Sequence, residues 1–387
     1  MHILIAPNAF KNSLGAGAAA EAIEEGLKQS NLQCTTQCFP VGDGGDGTGT
    51  LITNACHGIF VTATVQDPLG RNINAVMGLI DDEQTAVIEM AAASGIRLLK
   101  EEELDPLHTS SFGTGELMMK ALDRGVKKII LCVGGSATVD GGCGILLALG
   151  IRFLDSSGKP LKDLPEELQQ LASIDLSGLD KRITNAEMVI LCDVSNTLLG
   201  KKGAAKIFGP QKGASQDDVL KLEEALAQLT KIALQTTGID MASLVHGGAA
   251  GGVAAGLFTF LKARLENGID YFLDNTPFDD ALEKANLIIT GEGSIDLQTL
   301  EGKGPYGVAM RAKKKNIPVF ALAGKIPQPV PEELNACFDK LLSINHESLD
   351  IQAALAATKN NLIKTALELG NLLAFQKKTA TKKHTGK

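Results

Sequence analysis

The sequence predicts an α/β protein of two domains, one of them discontinuous. Strand-like and helix-like runs alternate near both ends of the chain, the rhythm of layered α/β domains. Between them, three strand-like runs follow one another with no helix. The chain of 387 residues is also long for a single hydrophobic core. These observations join residues 1–60 and 285–375 into one parallel-sheet domain, with 61–284 inserted as a second α/β domain. Residues 376–387 are expected to be a disordered basic tail.

The elements follow in order. "HILIAP" is a short apolar run closed by Pro7, a buried first strand and not a signal peptide, since no basic segment precedes it. "SLGAGAAAEAIEEGLKQS" has helical spacing, with Ser13 as the expected N-cap. "LQCTTQCFPV" reads as a strand, followed by a glycine loop and the helix "GTLITNAC". The stretch from Ile59 to Gly95 holds the three strands of an antiparallel meander, separated by Pro-Leu-Gly and Asp-Asp turns. "FGTGELMMKALDRG" is a helix, "KKIILC" and "AEMVILC" are apolar strands, and "SQDDVLKLEEALAQLTKIALQ" is amphipathic. From Ala285 the alternation resumes with "ANLIIT" (strand), "PYGVAMRAKKKN" (helix), "IPVFALAG" and "KLLSIN" (strands) and a long final helix. The tail "KKTATKKHTGK" carries five lysines and nothing apolar beyond one alanine.

Composition narrows the function classes. A net charge of −8 argues against wholesale binding of nucleic acid or anionic membrane. No run of about 18 apolar residues is present, so no membrane span is expected. Seven cysteines, odd in number and set in apolar segments, read as reduced thiols of a cytoplasmic protein. Glycine is the outlier at 42 residues of 387, against a usual ~7%. The glycines cluster at 42–49, 134–144, 247–256 and 291–307, each flanking a strand-like run. Ligands of open α/β sheets gather at such loops.

The loop "VGDGGDGTGT" satisfies G-x-G-x-x-G, the pattern of a dinucleotide cradle. Asp43 and Asp46 would repel a pyrophosphate, however. Ionised carboxylates only accept hydrogen bonds, so Asp43, Gly44, Gly45 and Asp46 suit the hydroxyls of a polyol or a Mg²⁺ ion better. "VGGSATVDGGCG" offers unhindered backbone N–H groups at Gly134, Gly135, Ser136, Ala137 and Thr138, the makings of an anion nest. Lys212 lies among the glycines of "GPQKG". Asp193 ends the apolar strand "MVILC", where a base or Mg²⁺ ligand is well placed. "TGEGSIDLQT" adds Glu292 and Asp296. Carboxylates, a few lysines and anion nests are the requirements of phosphoryl transfer to an alcohol.

Read together, "IAPNAFKNSL", "VGDGGDGT", "AVIEMAAASG", "HTSSFGTGEL", "VGGSATVDGG", "CDVSNTLLG", "FGPQKGA", "GAAGG" and "TGEGSIDLQTLEGK" resemble, in order, the glycerate kinase family. The resemblance implies a flavodoxin-like parallel-sheet domain and a second α/β domain of unusual topology, with a cleft between them. It implies ATP-dependent phosphorylation of D-glycerate, to 2-phosphoglycerate in preference to 3-phosphoglycerate. Asp193 and Lys11 are the expected catalytic residues and Asp43 to Asp46 the substrate loop. Gly134 to Thr138 with Lys212 would bind nucleotide, and Glu292 and Asp296 would hold Mg²⁺. A small-molecule substrate and a homodimer are the expected partners. The family usually shows Asp at the position of Asn8, Ser at Ala9, Glu at Asp46, Asn at Val139 and Pro at Thr197. These departures leave two rival readings, a kinase of another small hydroxy acid and a non-catalytic metabolite-binding relative.

Overall fold

The structure, a computed structural model, describes residues 1–345 and 350–384, with side chains as far as 376. Its strands run in chain order β1 (His2–Ile5), β2 (Thr35–Cys38), β3 (Ile59–Gln66), β4 (Asn72–Ile80), β5 (Thr85–Glu89), β6 (Lys128–Cys132), β7 (Arg152–Leu154), β8 (Ser173–Asp175), β9 (Glu187–Cys192), β10 (Arg264–Asn267), β11 (Leu287–Ser294), β12 (Val319–Lys325) and β13 (Lys340–Ser343). The chain divides into two compact units, Met1–Asp43 with Ile269–Lys387, and Gly44–Gly268.

The first unit is built on a parallel sheet of order β13-β12-β11-β1-β2. Numbered within the unit this is 2-1-3-4-5 read from the other edge, the doubly wound order of flavodoxin-like sheets. Strands covered on both faces read as continuous apolar runs, and Ile3, Leu4, Ile5, Ile288 and Ile289 are sealed from solvent. The helix Ala16–Gln29 packs along the helix Ile351–His384. Gly26 sets their approach, because a Cβ there would stand 2.2 Å from the Ile363 carbonyl oxygen. Ile23, Leu27, Leu362, Ala366 and Leu369 fill the seam.

Two expectations change here. The N-cap of Ala16–Gln29 is Gly15, without a side-chain hydrogen bond. Ser13, two residues too early to cap, donates its hydroxyl to the Leu355 carbonyl 2.6 Å away. The final helix also continues through 376–384 of the expected tail. Once packing has nucleated a helix, each further residue adds one hydrogen bond, and Lys and Ala oppose this little. Residues 385–387 of that tail lie outside the described residues.

The second unit carries a six-stranded sheet of order β10-β9-β6-β5-β4-β3. β3, β4 and β5 form the antiparallel meander. β5 then pairs in parallel with β6, β6 with β9 and β9 with β10. The meander is thus one flank of a mixed sheet, and the carboxyl ends of four strands point the same way. A short antiparallel hairpin, β7–β8, was not legible in the sequence. The glycine cluster 247–256 opens a helix, Ala249–Leu261, and does not flank a strand. Its glycines allow backbone contact with the 134–144 loop: a Cβ at Gly251 would meet the Thr138 carbonyl oxygen, and one at Gly256 the Gly141 carbonyl oxygen, each at 2.1 Å.

Candidate active site

Two glycine loops that looked independent in the sequence touch in the second unit. The Gly134 N–H donates to the Gly44 carbonyl at 3.2 Å. A Cβ on Gly134 would lie 2.5 Å from the Gly45 Cα and 2.7 Å from the Asp46 nitrogen. Gly44, at φ +93°, packs against the Leu191 carbonyl at the end of β9. Only glycine tolerates both this conformation and this proximity. The ends of β6 and β9 and the acidic loop are therefore held together backbone to backbone. Asp193 follows β9 directly and is half-buried.

The chemistry of the acidic loop is decided by a residue that sequence reasoning did not single out. Glu89, the last residue of β5, accepts hydrogen bonds from the Gly47 N–H (2.9 Å), the Thr50 N–H (2.8 Å) and the Thr50 hydroxyl (3.1 Å). These N–H groups open the helix Thr48–Ala55, whose own N-cap, Gly47, has no side-chain bond. A helix N-terminus attracts one anion, and here the anion is the protein's own carboxylate. The loop matches G-x-G-x-x-G, yet its phosphate position is filled. Glu89 ends a strand just before Met90 and three alanines, within "AVIEMAAASG", and that setting was its only signal in the sequence.

Asp46 pairs with Arg97 at 2.7 Å. The 134–138 segment separates into an accessible and a sealed part. Gly134 and Gly135 reach solvent, whereas Ser136, Ala137 and Thr138 are buried. The Gly134 and Ala137 N–H groups are spent on Gly44 and Ser94. Thr138 Oγ1 has no partner among the described residues. Lys212 is only 3% exposed, and its Nζ donates to Ser136 Oγ (2.8 Å) and the Thr138 carbonyl (2.7 Å). It braces the loop from behind. Burial lowers its pKa to about 7, against an upward pull from Asp140. Asp140, also missed in the sequence, is fully buried and accepts from Ser111 Oγ (2.6 Å) and from the N–H groups of Ser111, Gly142 and Gly144.

The first unit gathers a second set at the carboxyl ends of β1, β2 and β11, around the switch point between β1 and β11. In open sheets, ligands bind at such a point. Asn8 Nδ2 donates to Asp43 Oδ2 at 2.7 Å, with both residues buried. The Asn8 amide thus supplies a hydrogen-bond donor to that carboxylate. Glu292 is 6% exposed and accepts from the Thr299 hydroxyl at 2.7 Å. Desolvation raises its pKa to about 7; the Thr299 bond, Lys303 and Lys11 pull down and Asp43 pushes up. Lys11 is exposed. Asp296 caps the turn Leu297–Glu301, its Oδ1 accepting from the Gln298 N–H at 2.9 Å.

Among the described residues, no group of three or more His, Cys, Asp or Glu side chains is arranged around a metal position. Mg²⁺ delivered on nucleotide phosphates needs only one or two carboxylates, the remaining ligands being phosphate and water oxygens. Glu292 is a buried hard oxygen donor with one oxygen accepting from Thr299, and it fits that demand. Asp296 already serves the cap. No disulfide is present among the described residues, and no described helix is long and apolar enough to cross a membrane.

Residues 3–374 match the model of the glycerate kinase family. The chain is 41% identical over 377 residues to the glycerate kinase of Bacillus subtilis (strain 168), covering 97% of this chain and 99% of that protein. It is 38% identical over 384 residues to the glycerate 2-kinase of Escherichia coli (strain K12), covering 98% and 100%. A crystal structure of a putative glycerate kinase 2 from Salmonella typhimurium LT2 superposes with a TM-score of 0.82 at 40% identity, over 98% of this chain and 99% of that one. With the family model and these relatives spanning nearly the whole chain, the protein belongs to the glycerate kinase family.

Proposed function

We propose that the chain transfers the γ-phosphoryl group of ATP to a hydroxyl of D-glycerate, giving ADP and 2-phosphoglycerate. The observation that carries this reading is the placement of carboxylates, a lysine and glycine backbone at carboxyl ends of parallel strands, on a chain similar end to end to glycerate kinases. In the reaction the glycerate hydroxyl attacks the γ-phosphorus. A new O–P bond forms, the bond to the bridging β–γ oxygen breaks, and the hydroxyl proton leaves to a carboxylate. Asp193 is the proposed acceptor of that proton and Lys11 the cation facing the transferring group. The Asp43 carboxylate, set by Asn8, orients an acceptor hydroxyl. Gly135 presents its backbone to the nucleotide phosphates beside Gly134, whose N–H holds Gly44, with Lys212 fixing the loop. Bound Mg²⁺, held by Glu292, would neutralise charge on the phosphates. Cysteines that form no disulfide among the described residues suit a cytoplasmic setting.

The test is a coupled assay of ADP release with D-glycerate, followed by phosphorus NMR of the product. Turnover that depends on glycerate, with the phosphorus coupled to the C2 proton, supports the reading. Binding of ATP and glycerate without turnover would make the chain a metabolite-binding relative, and turnover only with another hydroxy acid would reassign the substrate.

A further inference from the structure

The second unit holds a cavity of about 180 Å³ between the helix Thr48–Ala55 and the β3–β4 hairpin. Ligand pockets usually measure ~300–1,000 Å³, so this one suits part of a nucleotide and not the whole. Its wall is apolar where the hairpin contributes Phe60, Val76 and Met77. Phe60 and Val76 are each 45% exposed, so this wall leaves apolar surface open to a ligand. Its polar side is the Asp46–Arg97 pair, with Arg97 76% exposed. The Glu89 carboxylate also lines it but is spent on the loop.

The cavity adjoins the glycine loop at Gly135. A Cβ on Gly135 would lie 3.2 Å from the Ala91 Cβ and 3.5 Å from the Asp46 Cβ, and both residues line the cavity. The Ile96 N–H donates to the Gly135 carbonyl at 2.9 Å, tying the segment that carries Arg97 to the same loop. A three-carbon polyhydroxy acid gains nothing from Phe60, Val76 and Met77. A planar heteroaromatic ring does, because it buries both faces and presents amine and ring-nitrogen edges to a carboxylate and a guanidinium.

We propose that this cavity receives the purine ring of the nucleotide, with Phe60 and Val76 against the ring and Asp46 with Arg97 at its polar edge. The proposal rests on the reading that Gly135 faces the phosphates. It divides the acidic loop in two: Asp43 serves the acceptor in the first unit, and Asp46 serves the base.

The experiment is calorimetric binding of ATP and of tripolyphosphate to the full chain and to Phe60→Ala, Arg97→Gln and Gly135→Val. Phe60→Ala should weaken ATP on the order of tenfold or more, the scale of one base–aromatic contact. It should leave tripolyphosphate within about twofold. Arg97→Gln should follow the same pattern, and Gly135→Val should weaken both ligands. Unchanged ATP affinity in Phe60→Ala, or equal losses for both ligands, overturns the proposal. A loss confined to ATP in Phe60→Ala, with Gly135→Val neutral for both, keeps the base pocket and removes the phosphate reading of the glycine loop. Should Phe60→Ala not fold, as read by circular dichroism, Val76→Ser at an equally exposed position carries the same comparison.

Discussion

Lys212 makes the stability of the second unit depend on pH. Its pKa falls from 10.5 to about 7 because burial penalises the ammonium. A depressed pKa means that the unfolded chain binds the extra proton between these values. Stability is then fully present above pH 10.5 and is lost as pH falls through about 7. A shift of about 3.5 units corresponds to about 5 kcal/mol over the whole window at ~1.4 kcal/mol per unit. Above pH 9 the buried thiols Cys132, Cys143 and Cys192 act the other way, since each resists ionising when folded. Between about pH 7 and about pH 8.5 Lys212 should add about 1–2 kcal/mol, with Glu292, whose pKa burial raises to about 7, acting the other way at the lower end. Lys212→Met keeps the length and removes the titration. It also deletes two hydrogen bonds, at ~0.5–1.5 kcal/mol each and independent of pH. Urea unfolding of both proteins at the two ends of that window measures the difference of differences, in which the thiol contributions cancel. Wild type should gain on the variant as pH rises; parallel profiles would refute the argument.

Asp193→Asn should leave the fold intact and lower turnover roughly 10²- to 10⁴-fold at saturating substrates, the scale of a lost proton acceptor. Partial rescue by excess Mn²⁺ would show a metal ligand in place of a base, and near-normal turnover would remove the residue from the mechanism. Asp43→Asn should raise the glycerate KM or abolish turnover with ATP affinity nearly unchanged; a loss of ATP binding alone would contradict the assignment of Asp43 to the acceptor. Gly135→Val places a branched side chain at φ +71°, a strain of about 1–2 kcal/mol. It should therefore lower the unfolding midpoint slightly and weaken ATP binding much more, and a folded variant with normal ATP affinity would locate the phosphates elsewhere.

Much of the fold was readable because its signals are local. Apolar runs marked β1, β6, β9, β11 and β12, and the turn residues between 59 and 95 marked the meander. Ser13 misled because a capping residue is recognised by distance from the first helical turn, and the chain starts that turn at Ala16. The hairpin β7–β8 and the helix at Ala249–Leu261 were missed or misread for a different reason. Three-residue strands carry too little periodicity, and the left-handed residues Ala250, Gly251 and Gly252 break the helical pattern where two backbones meet.

At the site, the sequence by itself determined which residue types were available: carboxylates in glycine loops that repel phosphate, and a lysine and an aspartate set among glycines. These are properties of side-chain charge and backbone freedom, and they travel with the chain wherever it folds. Tertiary structure alone decided their roles. It brought Gly44–Gly45 against Gly134 across about 90 residues of sequence, set Glu89 on the helix N-terminus that the motif reserved for phosphate, sealed Lys212 behind its loop and placed Asn8 on Asp43. The reason is physical. Hydrogen bonding, desolvation and close backbone contact depend on distances between segments remote in the chain, and no local pattern records them.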